Sequence, residues 1–187
     1  MCRFVVVVSD IHAGSSVAVC PPDFVCDDGQ EVRLSDAQRA LWAQWRLFWD
    51  EFVPRVTGGE SYAVVINGDV TEGNHHKAVQ TISENESDHI RAAVELLQPV
   101  RDRAAKLYIV RGTEAHVGPS GGLEEQVARQ VRADSDGPIK SHWQLWMDLG
   151  PHLIHCSHHV GTTSSTSYEH SALSRELAAN LLESAQW

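Results

Sequence analysis

One stretch near the start of the chain decides the fold, Phe4-Val5-Val6-Val7-Val8-Ser9-Asp10-Ile11-His12-Ala13-Gly14. Its five apolar residues, four of them valines, are typical of a buried β-strand, and the run ends abruptly at Asp10. Asp10 and His12 therefore follow a strand end, where Gly14 suits the next turn. Ligands bind at the carboxyl ends of strands in an open α/β sheet, so this carboxylate and imidazole indicate a metal site.

Three further apolar runs end beside side chains that bind metals. Because the carboxyl ends of parallel strands meet at one sheet edge, we expect these side chains to lie close together. The runs are 62–66, followed by Asn67-Gly68-Asp69; 106–110, followed by Arg111-Gly112-Thr113-Glu114-Ala115-His116; and 152–156, which contains His155 and is followed by Ser157-His158-His159.

Helical patterns separate the first three runs. One begins at Ser35, with Gln38 as capping-box partner, and ends at Gly58-Gly59; another covers about 85–104. Successive strand–helix units predict parallel strands with right-handed crossovers. Shorter helices are predicted after Gly121-Gly122 and over about 169–186.

The last two apolar segments predict a different arrangement. Residues 143–149 alternate in polarity and turn at Gly150-Pro151 into residues 152–156, which is the pattern of an antiparallel hairpin. We therefore predict an α/β fold with a mainly parallel sheet, in one domain over residues 1–187. A long loop is predicted at about 14–34.

The helix that begins at Ser35 carries three tryptophans. Leu41, Trp45, Phe48 and Phe52 recur at helical spacing, which predicts a broad apolar face packed on the sheet. A base-stacking platform is the alternative, but the spacing favours a core face.

Charge and composition restrict the class of protein. The formal charge of −10 does not indicate a broad basic surface for a phosphate backbone, although bound divalent cations would reverse the local field. No membrane span or signal peptide is recognisable, and four scattered cysteines predict a reducing cytoplasm. Cys20 and Cys26 are interpreted as unpaired thiols in preference to a bridge or half a zinc site.

Carboxylates and imidazoles without clustered cysteines suit manganese, iron, zinc or nickel better than calcium. The strand ends carry enough ligands for two divalent metal ions, held about 3.5–4 Å apart and bridged by a carboxylate. Such a pair clamps a phosphoryl group and lowers the pKa of bound water to about 7.

The order of these motifs resembles the calcineurin-like metallophosphoesterase superfamily. The match runs from Asp10-Ile11-His12 through Gly68-Asp69 to a glycine-led motif and a strand-end histidine. The loop with Cys20-Pro21-Pro22 and the tryptophan-rich helix resemble members encoded by phages and prophages. The resemblance implies an α/β/β/α sandwich with a two-metal site, in which Asp10 and His12 bind the first metal, Asp69 bridges, and His155 binds the second.

Two departures from the family pattern change these expectations. The family's Gly-Asn-His motif is replaced here by Gly112-Thr113-Glu114-Ala115-His116, so we expect Glu114 to replace the asparagine ligand and His116 to assist catalysis. Thr113 is the alternative ligand position. The family's final Gly-His-x-His motif does not follow His159, so we expect a truncated chain with an incomplete site and second sheet.

These features predict a divalent-metal-dependent phosphoesterase that uses metal-activated water. We expect a phosphodiesterase or nuclease-like activity on a phosphate ester, either a nucleotide or nucleic acid. One alternative is an impaired or inactive remnant that keeps the fold and part of the metal site; another is a zinc-dependent hydrolase of a different bond. His158 and His159 are further candidate ligands, and His75 and His76 are candidates for substrate contact.

Overall fold

The structure is a computed structural model and describes residues 2–74, 79–118, 120–159 and 169–184. Its strands are β1 (Phe4–Val8), β2 (Tyr62–Asn67), β3 (Lys106–Val110), β4 (Ser141–His142), β5 (Leu145–Asp148) and β6 (Leu153–Cys156). Its helices are α1 (Asp36–Leu47), a π-helical segment (Phe48–Phe52), α2 (Val53–Thr57), α3 (Glu86–Arg103), α4 (Glu114–Val117), α5 (Gly122–Gln130) and α6 (Glu169–Ser184).

The first four strands form a parallel sheet in the order β1-β2-β3-β4, which confirms the predicted α/β class and parallel pairing. β1 lies at the edge, and Val7 is 52% exposed, so the prediction that this run is fully buried is wrong at that position. The central strand β2 is the buried one, with Val64, Val65 and Ile66 at 0% exposure.

The sequence pattern predicts no strand at the position of β4. This strand is two residues long and pairs Ser141 with Ile109 and His142 with Val110. It has no apolar run of its own, and its place in the sheet depends on the neighbouring strand.

Two hydrophobic cores lie on opposite faces of the parallel sheet, as the alternation along β2 requires. Val64 and Ile66 belong to the core that is shared with α3 and α5, whereas Ala63 and Val65 belong to the other. β5 and β6 pack on this second face through residues that include Leu145, and their antiparallel pairing confirms the predicted hairpin.

The tryptophan-rich helix has the predicted start but a different buried face. Ser35 caps α1 in a capping box with Gln38, as expected. Trp49 is the tryptophan buried in the core, at 3% exposure, whereas Leu41 is 40% and Phe52 is 44% exposed. A π-helical turn shifts the helical register, so one α-helical stripe cannot describe both halves of this element.

α6 carries leucines that are exposed to solvent. Leu173 and Leu177 are 63% and 58% exposed, whereas Ala172 is buried. Across the described ranges, none of the helices has both the length and the apolar character needed to cross a membrane.

Candidate metal centre

The loops that follow β1 and β2 are joined to each other by backbone hydrogen bonds. The amide of Asp10 donates to the carbonyl of Gly68 at 3.0 Å, and the amide of His12 donates to the carbonyl of Asp69 at 2.9 Å. Ala13 extends the pairing to Val70 at 2.9 Å. The expected convergence of the first two strand ends is therefore present at the carboxyl edge of the sheet.

Three of the predicted site residues adopt left-handed backbone conformations. The φ angles are 57° at Asp10, 47° at His12 and 49° at Asp69. Side chains other than glycine rarely adopt this region, and such strain is concentrated at functional sites because the surrounding structure must maintain it. Here the inter-loop hydrogen bonds hold each of these residues in place.

One group of candidate ligands consists of His12, Glu72 and His116. Nδ1 of His12 lies 3.1 Å from Oε2 of Glu72, and Nδ1 of His116 lies 4.0 Å from the same oxygen. The His12 and His116 rings meet edge to face, with centroids 4.5 Å apart. Nδ1 of His12 is buried. Although it lies close to the Glu72 carboxylate, it makes no aligned hydrogen bond among the described residues. A cation between these groups would satisfy that nitrogen.

The second group consists of Asp10, Asp69 and His158. Nε2 of His158 lies 3.1 Å from Oδ2 of Asp69, and both side chains are nearly buried. The Asp10 side chain is 54% exposed, so this group opens to solvent on one side. A neighbouring hydroxyl, that of Ser9, donates to the Asp10 carboxylate.

The two groups are adjacent to each other. Nε2 of His12 lies 3.7 Å from Oδ1 of Asp10, and Nε2 of His116 lies 4.0 Å from Oδ2 of Asp69. Both of these contacts join an imidazole of one group to a carboxylate of the other. The arrangement suits two neighbouring cations with Asp69 close to both.

Backbone carbonyls fix the tautomers of two of the histidines. Nδ1 of His158 lies 2.6 Å from the carbonyl oxygen of Asn67, and Nδ1 of His116 lies 2.8 Å from that of Glu72. A carbonyl only accepts, so Nδ1 carries the proton in both rings. In both rings Nε2 then faces the carboxylate of Asp69, at 3.1 Å in His158 and 4.0 Å in His116. Histidines that bind metals are held by this same arrangement.

Asp69 is also held by the loop after β3. Its Oδ1 accepts from the backbone amide of Thr113 at 2.8 Å and from the Thr113 hydroxyl at 3.2 Å. The approach requires glycine at the preceding position, since a Cβ on Gly112 would lie 2.0 Å from Oδ1 of Asp69. A Cβ on Gly68 would similarly lie 2.3 Å from the ring of His158.

A completely buried carboxylate, Glu124, joins two of the loops from beneath. Its Oε1 accepts from the amide of Val70 at 2.9 Å, and its Oε2 accepts from the amide of Gly112 at 2.8 Å. Burial raises the pKa of Glu124 from 4.5 to about 7, against the opposing effect of the two amides. The negative charge of Asp69 adds to this upward shift.

The structure brings together some of the predicted residues and separates others. Asp10, His12, Asp69, His116 and His158 all belong to the two groups. The backbone amide of Thr113 donates to Asp69, whereas the alternative role of Thr113 as a metal ligand stays a prediction. His75 and His76 lie outside the described residues.

Three predicted residues belong to neither group within the described ranges: Glu114, His155 and His159. Glu114 and His159 are exposed. The ring of His155 stacks on that of Trp146 with centroids 4.2 Å apart, and Nδ1 of His155 lies 3.0 Å from Nδ2 of Asn180 in α6. Residues of a strand alternate between its two faces, and His155 lies within β6, whereas His158 follows the strand end, as Asp10 and Asp69 do.

Sequence reasoning missed Glu72 and Glu124. Glu72 lies three residues after Asp69 in a polar loop that the pattern did identify, so its proximity to a strand end was an available signal. Glu124 lies in the first turn of α5, where an acidic residue ordinarily interacts favourably with the helix dipole. No feature of its sequence position indicates burial.

A cleft of about 670 Å³ opens beside the site and is lined by Asp10, His12, Glu72 and His116 among others. No protein-family model matches the chain, and no curated protein is significantly similar to it. The functional argument therefore depends on the geometry of this edge of the sheet.

Proposed function

We propose that the protein is a divalent-metal-dependent phosphoesterase of the calcineurin-like metallophosphoesterase type. The observation that carries the proposal is the pairing of His158 with Asp69, in which a tautomer fixed by the Asn67 carbonyl directs a lone pair at a carboxylate 3.1 Å away. In the absence of a cation, or of a second proton on the ring, these two groups repel each other. The orphaned Nδ1 of His12 supports the same conclusion for the neighbouring group.

We assign Asp10, Asp69 and His158 to one ion and His12 with Glu72 to the other, with Asp69 shared. Two divalent ions at this position would clamp phosphoryl oxygens and lower the pKa of bound water to about 7. Carboxylate and imidazole ligands suit manganese, iron, zinc or nickel. The parallel sheet packs against helices on one face and against the β5–β6 hairpin on the other. This layering also suits the sandwich that the resemblance implies.

His116 is assigned to the substrate. Its Nε2 lies 4.0 Å from Oδ2 of Asp69, farther than that of His158, and its ring lines the cleft. The Glu72 carbonyl orients the ring through Nδ1, and we assign Nε2 to exchange a proton with the leaving oxygen of the ester. A phosphodiester, either a nucleotide or nucleic acid, is the expected substrate.

The test uses the full chain, stripped of metal and reloaded with manganese. We expect hydrolysis of bis-p-nitrophenyl phosphate and uptake of two ions per chain. The matched control is the double variant His12→Ala, Asp69→Asn, which removes a ligand from each group. Activity equal to that of this control would overturn the proposal.

A metal-binding remnant without activity is the second candidate. It is favoured by the positions of Glu114 and His155, because neither joins the candidate ligands in the described residues. Two bound ions with no hydrolysis of any phosphodiester would identify this case. A zinc-dependent hydrolase of another bond would bind the ions and leave phosphodiesters intact while cleaving an ester or amide.

A further inference from the structure

The cleft beside the metal centre has walls of contrasting chemistry. One part of its lining is formed by the carboxylates and imidazoles of the site, and a second wall is formed by side chains of α1 and the π-helical segment. The residues on this second wall are Leu41, Gln44, Trp45 and Phe48. A volume of about 670 Å³ lies within the roughly 300–1,000 Å³ usual for small-ligand pockets.

The aromatic side chains of the second wall, Trp45 and Phe48, lie where α1 passes into the π-helical segment. Trp49 is buried in the core, whereas Trp45 and Phe48 are only partly buried and line the cleft. Trp45 meets Trp49 at a centroid distance of 5.6 Å, and Phe48 meets Trp49 at 5.0 Å, so the buried ring supports both. π-Helical turns occur often at functional sites. The two rings are therefore held in position before any ligand arrives.

The residues that line the cleft include no lysine or arginine in the described part of the chain. Proteins that follow a nucleic-acid backbone need such cations along the groove, because each successive phosphate must be neutralised. This cleft offers cation sites only at its metal-binding end. It therefore suits a ligand with one phosphate group and an apolar, planar remainder.

We propose that the cleft binds the nucleobase of a small nucleotide-type phosphate ester, with the base against Trp45 and Phe48 and the phosphate at the metal centre. This inference depends on the proposed function for the position of the phosphate. The planar faces of bases stack on aromatic side chains with little sequence preference. The substrate class is thus a mononucleotide ester or a short single-stranded end, and duplex nucleic acid is excluded from the cleft.

Equilibrium binding tests the proposal without requiring turnover. Adenosine 5′-monophosphate and ribose 5-phosphate carry the same phosphate and differ in the base, and both are titrated into the manganese-loaded full chain. We expect the adenosine compound to bind roughly tenfold more tightly, the gain typical of stacking one base on an aromatic side chain. Trp45→Leu and, separately, Phe48→Leu should remove most of this preference while keeping apolar volume.

Leu47→Ala is the matched control, since Leu47 is exposed on the same helix and does not line the cleft. Equal affinities for the two phosphates, or a preference that both leucine variants retain, would overturn the inference. Tighter binding of a duplex oligonucleotide, unaffected by Trp45→Leu, would also overturn it. A base preference without hydrolysis of bis-p-nitrophenyl phosphate would support the cleft assignment and contradict the proposed phosphoesterase activity.

Discussion

The imidazole of His158 faces the carboxylate of Asp69 with Nε2 and Oδ2 3.1 Å apart, while its Nδ1 lies 2.6 Å from the carbonyl oxygen of Asn67. The first contact is favourable only with a cation between the groups or with a doubly protonated ring. This contact is the reason for assigning both side chains to one metal ion.

Replacing His158 should weaken metal binding more than replacing its neighbour. We expect His158→Gln to lower manganese affinity by more than the roughly 10–100-fold that is lost when a residue supporting a ligand is removed. His159→Gln is the control, because His159 is exposed and belongs to neither ligand group in the described residues. Isothermal titration of both variants measures the difference, and equal affinities would contradict the assignment of His158.

The two candidate positions of the glycine-led motif can be separated by metal analysis. Glu114→Gln should leave manganese affinity unchanged, since Glu114 is exposed and belongs to neither ligand group among the described residues. Thr113→Val should reduce affinity several-fold, because the hydroxyl that donates to Asp69 at 3.2 Å is lost. A loss of metal in Glu114→Gln alone would restore the register first expected from the sequence.

Gly112 is the position where added volume should do most harm. In Gly112→Ala the new Cβ would lie 2.0 Å from Oδ1 of Asp69, so the carboxylate or the loop must move. We expect a loss of about 1–3 kcal/mol in the free energy of unfolding, together with weaker metal binding.

Gly137→Ala is the matched control for that substitution. Its Cβ would meet nothing within 4 Å, and the change should be within about 0.5–1 kcal/mol of wild type. Denaturant unfolding of the two variants supplies the comparison. Equal free energies of unfolding would show that the loop after β3 can shift to accommodate the added Cβ at little cost, which would contradict the prediction.

Glu124 should give the metal-free protein a stability that declines towards neutral pH. Burial raises its pKa from 4.5 to about 7, so between these values the folded state binds more protons than the unfolded state. Its contribution is complete below pH 4.5 and is lost as the pH rises through about 7. The size of the effect is on the order of 3 kcal/mol.

Glu124→Gln is the variant that tests this pH dependence. A neutral amide cannot titrate, so the free energy of unfolding of the variant should lack the decline between pH 5 and 7. One of its two amide donors loses an acceptor, which costs about 1 kcal/mol at all pH values. The free energy of unfolding of both proteins is measured in a chelator across this pH range. Parallel dependence on pH in the two proteins would show that the Glu124 carboxyl is ionised throughout and would contradict the prediction.

Much of the fold was predictable because local pattern and tertiary position agree in β1, β2 and β3. Each has an apolar run that ends on a polar residue, and the sheet brings those ends together. β4 could not be predicted in this way, since two residues carry no periodicity. The edge position of β1 was also hidden, because strand order is determined by pairing partners far along the chain.

The candidate site was predictable where a candidate ligand follows a strand end, as at Asp10, His12 and Asp69. It was less predictable where several candidates lie within a few residues, as with His155 and His158. Their separation depends on where β6 stops, and that boundary is determined by pairing with β5. Glu124 shows the remaining limit, because its burial arises from packing between loops that are distant in sequence.

The cleft is lined by two carboxylates, Asp10 and Glu72, and by no lysine or arginine among the described residues. A phosphate group that enters the cleft meets carboxylates of its own charge sign and no lysine or arginine to offset them. If the site holds divalent ions as proposed, we expect them to bind before the phosphate. The metal-free protein should therefore not bind the nucleotides that the metal-loaded protein binds. The supply of metal would then control ligand binding in the cleft.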